Sequence, residues 1–217
     1  MKPTLFKRII DQLVEIKFSG RISFDFYNEP LLCRDLDLFV SLTREKLPSS
    51  EIHLYSNGSL LSTERFLKLY HLGIAKFIIT KHEDYFKDET KKYLFDQTYQ
   101  DLSEELKKIV LFRTHDDLHL TNRGGALEHI KSHRLDISSQ PCFIPNFMLS
   151  ISVLGNIIPC FEDYFQKNSM GNIQEEDLDT IWNKPVYKKM RNALMLGARN
   201  KFDVCSKCNR LEVRPPV

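Results

Sequence analysis

Hydrophobic residues recur with two different spacings along the first half of the chain. At the start they fall at helical spacing, on Leu5, Ile9, Ile10, Leu13 and Ile16. Further on, apolar residues gather into short runs rich in β-branched and aromatic side chains, which are typical of strands: RISFDF, EIHLYS, KFIIT and VLFRTH. The first half therefore alternates between predicted helices and predicted strands.

The segments between these runs have the pattern of amphipathic helices. Helices are predicted at 35–46, 63–72 and about 85–108. Ser62 or Thr63 can cap the second of them, and Gly73 suits its C-terminal end. Strands and helices that alternate at this spacing imply right-handed crossovers and a parallel sheet. This part of the chain is predicted to be α/β.

The pattern changes after residue 138. Two short apolar runs, FMLSISV and IIPC, flank a turn at Gly155 and Asn156, which indicates a β-hairpin. Two helices are predicted behind it, at 175–182 and 185–196. We therefore expect a domain boundary near residue 135, with an α/β domain at 1–135 and a small α+β module at 136–217.

Length and charge narrow the class of protein. A chain of 217 residues with 42% hydrophobic content can bury one sizeable core, or a core and a small module. Its formal charge of +2 gives no reason to expect a nucleic-acid partner, and a small-molecule or protein partner is favoured. No apolar run reaches the roughly 20 residues that span a bilayer. We expect no membrane partner and a cytoplasmic protein.

Four of the five cysteines form a candidate metal centre. Cys142 and Cys160 stand singly, Cys160 at the end of the predicted hairpin, while Cys205 and Cys208 form a CxxC turn. Four thiolates suit either tetrahedral zinc or a [4Fe–4S] cluster by ligand type. Two isolated cysteines are less usual in a zinc ribbon, which favours the cluster. Buried unreactive thiols are the alternative for the set, and the favoured interpretation for the lone Cys33.

The C-terminal residues resemble a known module. The resemblance rests on Cys142, the stretch GNIIPC ending at Cys160, the stretch MGNI at 170–173, Ile181-Trp182, Arg191 and the Cys205-x-x-Cys208 turn. Together they are similar to the auxiliary-cluster module, called twitch or SPASM, of radical S-adenosylmethionine (SAM) enzymes. The resemblance implies one auxiliary [4Fe–4S] cluster, with these four cysteines as its ligands.

The first half resembles the barrel domain of the same family. FYNEPLL is similar to its glutamate-containing turn after the second barrel strand, and YSNG to its turn after the third. Each would be an ordinary turn in isolation. Their order implies a partial (β/α)6 radical SAM barrel that lacks its first strand. By resemblance, the residues that bind SAM would be Asn28, Glu29, Pro30, Ser56, Asn57, Thr80 and Arg123.

Three phrases point to a substrate class within the family. FYNEPLL, TNRGG and PCFEDYF are most similar to dehydrogenases of aminoglycoside antibiotic biosynthesis that oxidise an amino-cyclitol such as 2-deoxy-scyllo-inosamine. The resemblance implies that a secondary alcohol becomes a ketone and that the auxiliary cluster accepts an electron. Phe161 and Glu162 would face the substrate, and Arg123 and Glu162 would be catalytic, Arg123 by binding or helping to deprotonate the hydroxyl. Glu162 could equally be a solvated loop carboxylate.

One element of the family pattern is not found in this sequence. Family members reduce SAM with a cluster held by CxxxCxxC, and no cysteine precedes Cys33 here. We therefore expect either a shortened form of a longer enzyme or a degenerate member, and no reductive SAM cleavage by this chain alone. SAM and a second [4Fe–4S] cluster would be used only with that segment restored, together with an electron donor such as flavodoxin or ferredoxin. The alternatives are a non-catalytic iron–sulfur binding or electron-transfer protein and a zinc-stabilised interaction protein.

Overall fold

The chain divides into two compact units. The computed structural model describes residues 1–82, 92–118, 120–127, 129–130 and 137–211. One unit is Phe6–Leu118, and the other combines Met1–Leu5 with His119–Val217. The first is the sheet unit, and the second is the cysteine unit. The boundary predicted near residue 135 lies outside the described residues.

The sheet unit is built on four parallel strands. They are β1 (Arg21–Ser23), β2 (Glu51–Ser56), β3 (Lys76–Lys81) and β4 (Val110–Thr114). Neighbours in sequence are neighbours in the sheet, in the order β1-β2-β3-β4. Parallel neighbours need crossover connections, which the intervening helices supply. The predicted α/β fold of this segment is confirmed.

Helices follow the strands in the expected alternation. They are α1 (Pro3–Glu15), α2 (Leu36–Lys46), α3 (Thr63–Leu72), α4 (Leu94–Asp101) and α5 (Glu104–Lys107). Ser62 caps α3 by accepting a hydrogen bond from the amide of Arg65, and Gly73 ends it in the left-handed region at φ 114°. The polar helix predicted at 85–108 is two helices over its described part, and residues 83–91 lie outside the description.

The first strand is shorter than the run RISFDF suggested. Asn28 accepts a hydrogen bond from the amide of Phe26 over 2.7 Å and donates one to the carbonyl of Phe24 over 3.3 Å. Tyr27 between them has φ 56°. Because Asn28 folds the backbone into a local turn, the chain leaves the sheet after Ser23.

The core of the sheet unit lies on its two central strands. Ile52 and Leu54 of β2 and Phe77 and Ile79 of β3 are fully buried, as is Phe66 of α3. The rings of Phe66 and Phe77 stack with centroids 4.1 Å apart. Strands this continuously buried are typical of parallel sheets whose faces are covered by helices. Six of the seven candidate SAM residues lie at or after the carboxyl ends of β1, β2 and β3.

The cysteine unit contains a small antiparallel sheet and short helices. Its strands are β5 (Ser150–Ile151), β6 (Asn156–Ile158) and β7 (Gly171–Asn172), and its helices are α6 (Ile144–Phe147), α7 (Leu178–Asn183), α8 (Pro185–Met195) and α9 (Asp203–Lys207). The predicted hairpin is β5–β6, turning through Gly155 at φ 87°. Strand β7 was not predicted. Among the described residues, no helix is long and apolar enough to cross a membrane.

Candidate metal centre and substrate residues

All four predicted ligand cysteines belong to the cysteine unit. Cys142 lies just before α6, Cys160 just after β6, Cys205 within α9 and Cys208 directly behind it. Burial raises the pKa of the Cys160 thiol well above its usual range, and the charges of Cys208 and Cys142 raise it further. The four elements therefore bring these thiols close enough to interact. Cys33 belongs to the sheet unit, where it packs against the core.

The other thiols also interact with one another. Burial raises the pKa of Cys205 to about 12, with contributions from Cys142 and Cys208. Burial likewise raises the pKa of Cys142 and of Cys208. A site that disfavours four bare thiolates needs a cation among them to keep them ionised, because opposite charge offsets both the burial and the mutual repulsion.

Backbone amides point at two of the sulfur atoms. The amide of Glu162 donates to Sγ of Cys160 over 3.3 Å, and the amide of Arg210 donates to Sγ of Cys208 over 3.4 Å. Each amide comes two residues after its cysteine, and each lowers the pKa of that thiol. Hydrogen bonds to ligand sulfurs are one of the means by which proteins tune iron–sulfur clusters.

The described part of the chain does not arrange these cysteines as a site for a single metal ion. In the part of the chain that the structure describes, no three histidine, cysteine, aspartate or glutamate side chains are placed to hold one metal ion. The four thiols thus interact through their charges without crowding around a single point.

Among the described carboxylates of the cysteine unit, Glu162 is the most enclosed, with only 1% of its surface exposed. Nε of Arg210 donates to its Oε1 over 2.7 Å, and the hydroxyl of Thr121 donates to its Oε2 over 2.8 Å. Nη1 of Arg123 lies 3.8 Å from the same Oε1. The alternative interpretation of Glu162 as a solvated loop carboxylate is therefore wrong. Two hydrogen-bond donors and the nearby charge of Arg123 hold this carboxylate in place.

Phe161 and Arg123 lie in the same unit as Glu162. The guanidinium of Arg210 sits over the Phe161 ring at 4.6 Å from its centroid, a cation–π contact. Arg123 has φ 51°, in the left-handed region that a residue with a side chain rarely adopts. The structure thus brings together the three residues predicted to meet the substrate, Arg123, Phe161 and Glu162.

The loop that carries Arg123 is fixed to the CxxC segment. The backbone amide of Asn122 donates to Oδ1 of Asn209 over 2.8 Å. Nδ2 of the Asn122 side chain donates to the carbonyl of Lys207 over 2.7 Å. Gly124 follows at φ 60°, and a Cβ there would collide with Cγ1 of Val204. Only glycine fits this close approach without strain. The TNRGG sequence therefore positions Arg123 against the cysteine-bearing helix α9.

The sheet unit holds the glutamate turn predicted to bind SAM. Oε1 of Glu29 accepts hydrogen bonds from Oγ of Ser56 over 2.8 Å and from the amide of Leu31 over 3.0 Å, and Oε2 accepts from the amide of Asn57 over 2.8 Å. Glu29 follows β1, whereas Ser56 and Asn57 end β2. One carboxylate therefore joins the carboxyl ends of two adjacent strands.

The other predicted SAM residues occupy different positions. Pro30 is buried at the start of a short 3₁₀ turn, and Thr80 near the end of β3 accepts a hydrogen bond from Nε of Arg113 over 2.9 Å. Asn28 uses its side chain in the local turn described above. Arg123 belongs to the cysteine unit, so the structure groups six of the seven predicted residues in the sheet unit.

Two arginines near the candidate metal centre were not predicted from the sequence. Arg210 contacts both Phe161 and Glu162, and Arg199 is almost fully buried. For Arg210, its position two residues after the CxxC turn was a signal in the sequence that it would lie near the cysteines. Arg199 gave none, because an arginine between two helices is usually solvated.

Comparison with known proteins places these features in a family. The SPASM family, an iron–sulfur cluster-binding domain, matches residues 142–209, a range that spans all four cysteines. The S-adenosyl-L-methionine-dependent 2-deoxy-scyllo-inosamine dehydrogenase of Niallia circulans is 41% identical over 99% of this chain and 82% of its own length.

Solved structures agree with the sequence comparison. The crystal structure of BtrN in complex with AdoMet and 2-DOIA matches with a TM-score of 0.89 at 41% identity, over 98% of this chain and 82% of that one. The structure of SeMet BtrN in an open conformation matches with a TM-score of 0.78 at 35% identity over the same shares. The TM-score of 0.89 shows that this chain shares the fold of the first of these BtrN structures.

The fold and the site define an iron–sulfur protein of the SAM-dependent class. The chain belongs to the radical SAM family, in the group that carries a SPASM-type iron–sulfur domain. Within this group it is similar to 2-deoxy-scyllo-inosamine dehydrogenase. The family membership predicted from the sequence is confirmed.

Proposed function

We propose that the chain is the body of a radical SAM dehydrogenase that oxidises a secondary alcohol of an amino-cyclitol to a ketone, 2-deoxy-scyllo-inosamine being the reference substrate. The observation that carries this proposal is the enclosed Glu162, with Arg123 and Phe161, beside Cys160. The 41% identity to a dehydrogenase of that substrate supports it.

The four cysteines of the cysteine unit would hold an auxiliary [4Fe–4S] cluster. Their soft sulfur donors fit iron, the amides at Glu162 and Arg210 are directed at two sulfurs, and the iron–sulfur domain match begins at Cys142. In a cubane each thiolate binds a different iron, so the thiols need not crowd around one ion. The bound cluster supplies one-electron redox chemistry.

The sheet unit would bind SAM through Glu29. Protein donors take three hydrogen bonds at this carboxylate, which has about four lone-pair sites. The capacity that remains suits one N–H of an ammonium group, and the negative charge favours a cation. Ser56 and Asn57 fix the direction in which the carboxylate points, while Asn28, Pro30 and Thr80 shape the surrounding strand ends.

The chemistry of Glu162 and Arg123 fits a substrate that carries both amine and hydroxyl groups. An ionised carboxylate accepts hydrogen bonds from an ammonium or a hydroxyl, and a guanidinium only donates, so Arg123 would hold an alcohol oxygen. Phe161 supplies an apolar face for a ring carbon. These residues would orient the carbinol carbon and fix the position of the hydroxyl proton. They are the reason for proposing an amino-cyclitol, and not a fully apolar alcohol, as the substrate.

The test is anaerobic turnover by the complete protein with SAM, a chemical or flavodoxin-type reductant and 2-deoxy-scyllo-inosamine. We expect a product two hydrogens lighter than the substrate by mass spectrometry. Glu162→Gln should lower the rate at least tenfold, whereas Glu175→Gln, the same change at an exposed position, should not. A protein that holds its cluster but oxidises no amino-cyclitol would contradict the proposal and favour an electron-transfer role.

A further inference from the structure

Arg199 is an arginine in the interior of the cysteine unit. It begins the short 3₁₀ turn Arg199–Lys201 between α8 and α9, and only 1% of its surface is exposed. Among the described residues, it is the largest side chain that is fully buried. Arginine is almost never buried to this extent unless its charge is matched.

The guanidinium joins the two ends of the metal-binding sequence. Nε donates to the carbonyl of Gln140 over 2.9 Å, and Nη2 donates to that of Pro141 over 3.4 Å, directly before Cys142. Nη1 donates to the carbonyl of Arg210 over 3.3 Å, two residues past Cys208. One side chain thus holds the backbone next to the first and last of the four cysteines.

These hydrogen bonds leave the charge itself unmatched. Carbonyl oxygens carry only partial charge, and within the described ranges no carboxylate forms an ion pair with Arg199. Burying a lone cation costs several kcal/mol even after relaxation. The carbonyls that Arg199 holds belong to the two residues directly before Cys142 and to the residue two positions after Cys208, so the cation lies beside the backbone that carries these cysteines.

We propose that Arg199 is a positioning residue of the metal centre, whose buried charge balances the thiolate-ligated cluster while its three carbonyl contacts fix the loops around it. The inference rests on the proposed [4Fe–4S] cluster. Uptake of one electron adds one negative charge to the cluster and its ligands. A fixed buried cation stabilises that more negative state, so Arg199 raises the reduction potential and makes the cluster a better electron acceptor.

The experiment compares three variants of the reconstituted 217-residue chain. Arg199→Gln removes the charge and keeps a donor, Arg199→Lys keeps the charge, and Lys189→Gln removes a charge from an exposed position of α8. Iron and sulfide contents are measured first. The midpoint potential is then followed by electron paramagnetic resonance during a titration with dithionite.

We expect Arg199→Gln to lower the equilibrium constant for one-electron reduction about tenfold, which corresponds to a potential about 59 mV more negative. The midpoint potentials of Arg199→Lys and Lys189→Gln should stay close to that of the parent chain. Loss of the cluster in Arg199→Gln with retention in Arg199→Lys would also support the proposal.

Three results would overturn it: a parent-like potential in Arg199→Gln, equal shifts in the Gln and Lys variants, or equal loss of cluster from both. A parent chain that takes up no iron would end this inference together with the proposed cluster. A loaded parent chain with an unshifted Gln variant would end this inference alone.

Discussion

Arg210 donates its Nε hydrogen to Oε1 of Glu162 over 2.7 Å, and each of these residues stands two positions after a cysteine of the candidate metal centre. Their backbone amides bond to the sulfurs of Cys208 and Cys160, so the side-chain pair closes a bridge between the two cysteine loops. A residue proposed to meet the substrate is in this way linked by hydrogen bonds to the candidate metal centre.

Removing Arg210 should destabilise the cysteine unit, because Glu162 stays buried with one donor fewer. A buried acceptor left short of a partner costs about 1–3 kcal/mol. The single tryptophan, Trp182, lies in this unit, so its fluorescence during urea unfolding reports on that unit. Arg210→Ala should lower the free energy of unfolding by that amount, and adding Glu162→Gln should recover part of the loss.

The control for this cycle is Lys167→Ala, which removes an ion pair with Asp203 that is exposed on both sides and lies in the same unit. Such pairs contribute about 0–1 kcal/mol. Purely additive effects of the Arg210 and Glu162 variants would contradict the coupling.

Gly124→Ala should also destabilise the cysteine unit. The new Cβ meets Cγ1 of Val204 and comes within 3.0 Å of the carbonyl oxygen of Glu162, at φ 60°. Backbone strain of this kind costs about 1–3 kcal/mol. In the double variant with Val204→Ala the side-chain collision is absent, so the measured loss should be smaller than the sum of the two single losses. Equality with the sum would show that the collision does not occur.

Glu29→Gln should weaken SAM binding. The amide nitrogen of glutamine cannot accept the hydrogen bonds that the replaced carboxylate oxygen takes, and the negative charge is lost. Hydrogen bonds to charged groups contribute about 1.5–3 kcal/mol, so calorimetry should show at least a tenfold rise in the Kd for SAM. Glu51→Gln, an exposed carboxylate on β2, should bind as the parent does. An unchanged Kd in Glu29→Gln would remove Glu29 from the SAM site.

His53 should make the sheet unit sensitive to acid. Burial lowers the pKa of this histidine below its usual 6.5, although the hydrogen bond with Glu51 acts in the opposite direction. A base whose pKa is lowered by folding contributes stability above its unfolded pKa, and that contribution is lost as the pH falls below about 6.5. Urea unfolding followed by circular dichroism gives the free energy of unfolding at pH 8 and at pH 5.5. Between these two pH values, this free energy should fall less in His53→Gln than in the parent. An equal loss would mean that His53 does not titrate on unfolding.

Regular elements were predictable where local pattern and tertiary packing agree. Strand β2 and helix α3 were found at the predicted residues, the first because its run is buried almost continuously, the second because Ser62 and Gly73 mark its ends. Strand β7 is only two residues long, too short to show a period. Strand β1 was predicted too long because the hydrogen bonds of Asn28 overrule the apolar pattern.

The cysteines of the candidate site are visible in the sequence, whereas the residues that support them are not. Four cysteines in a recognisable order are visible in the sequence, and so is Glu162 beside one of them. The burial of Arg199 and the pairing of Arg210 with Glu162 depend on contacts between segments far apart in sequence. No local pattern distinguishes such an arginine from a solvated one.

The central claim is that four cysteines of this chain hold one [4Fe–4S] cluster, and anaerobic reconstitution followed by iron and sulfide analysis tests it most directly. We predict about four irons and four sulfides per chain in the parent and in Cys33→Ser, with loss of the cluster in Cys205→Ser. A colourless parent chain that binds zinc instead of iron, or a Cys205→Ser variant with unchanged iron content, would contradict the account.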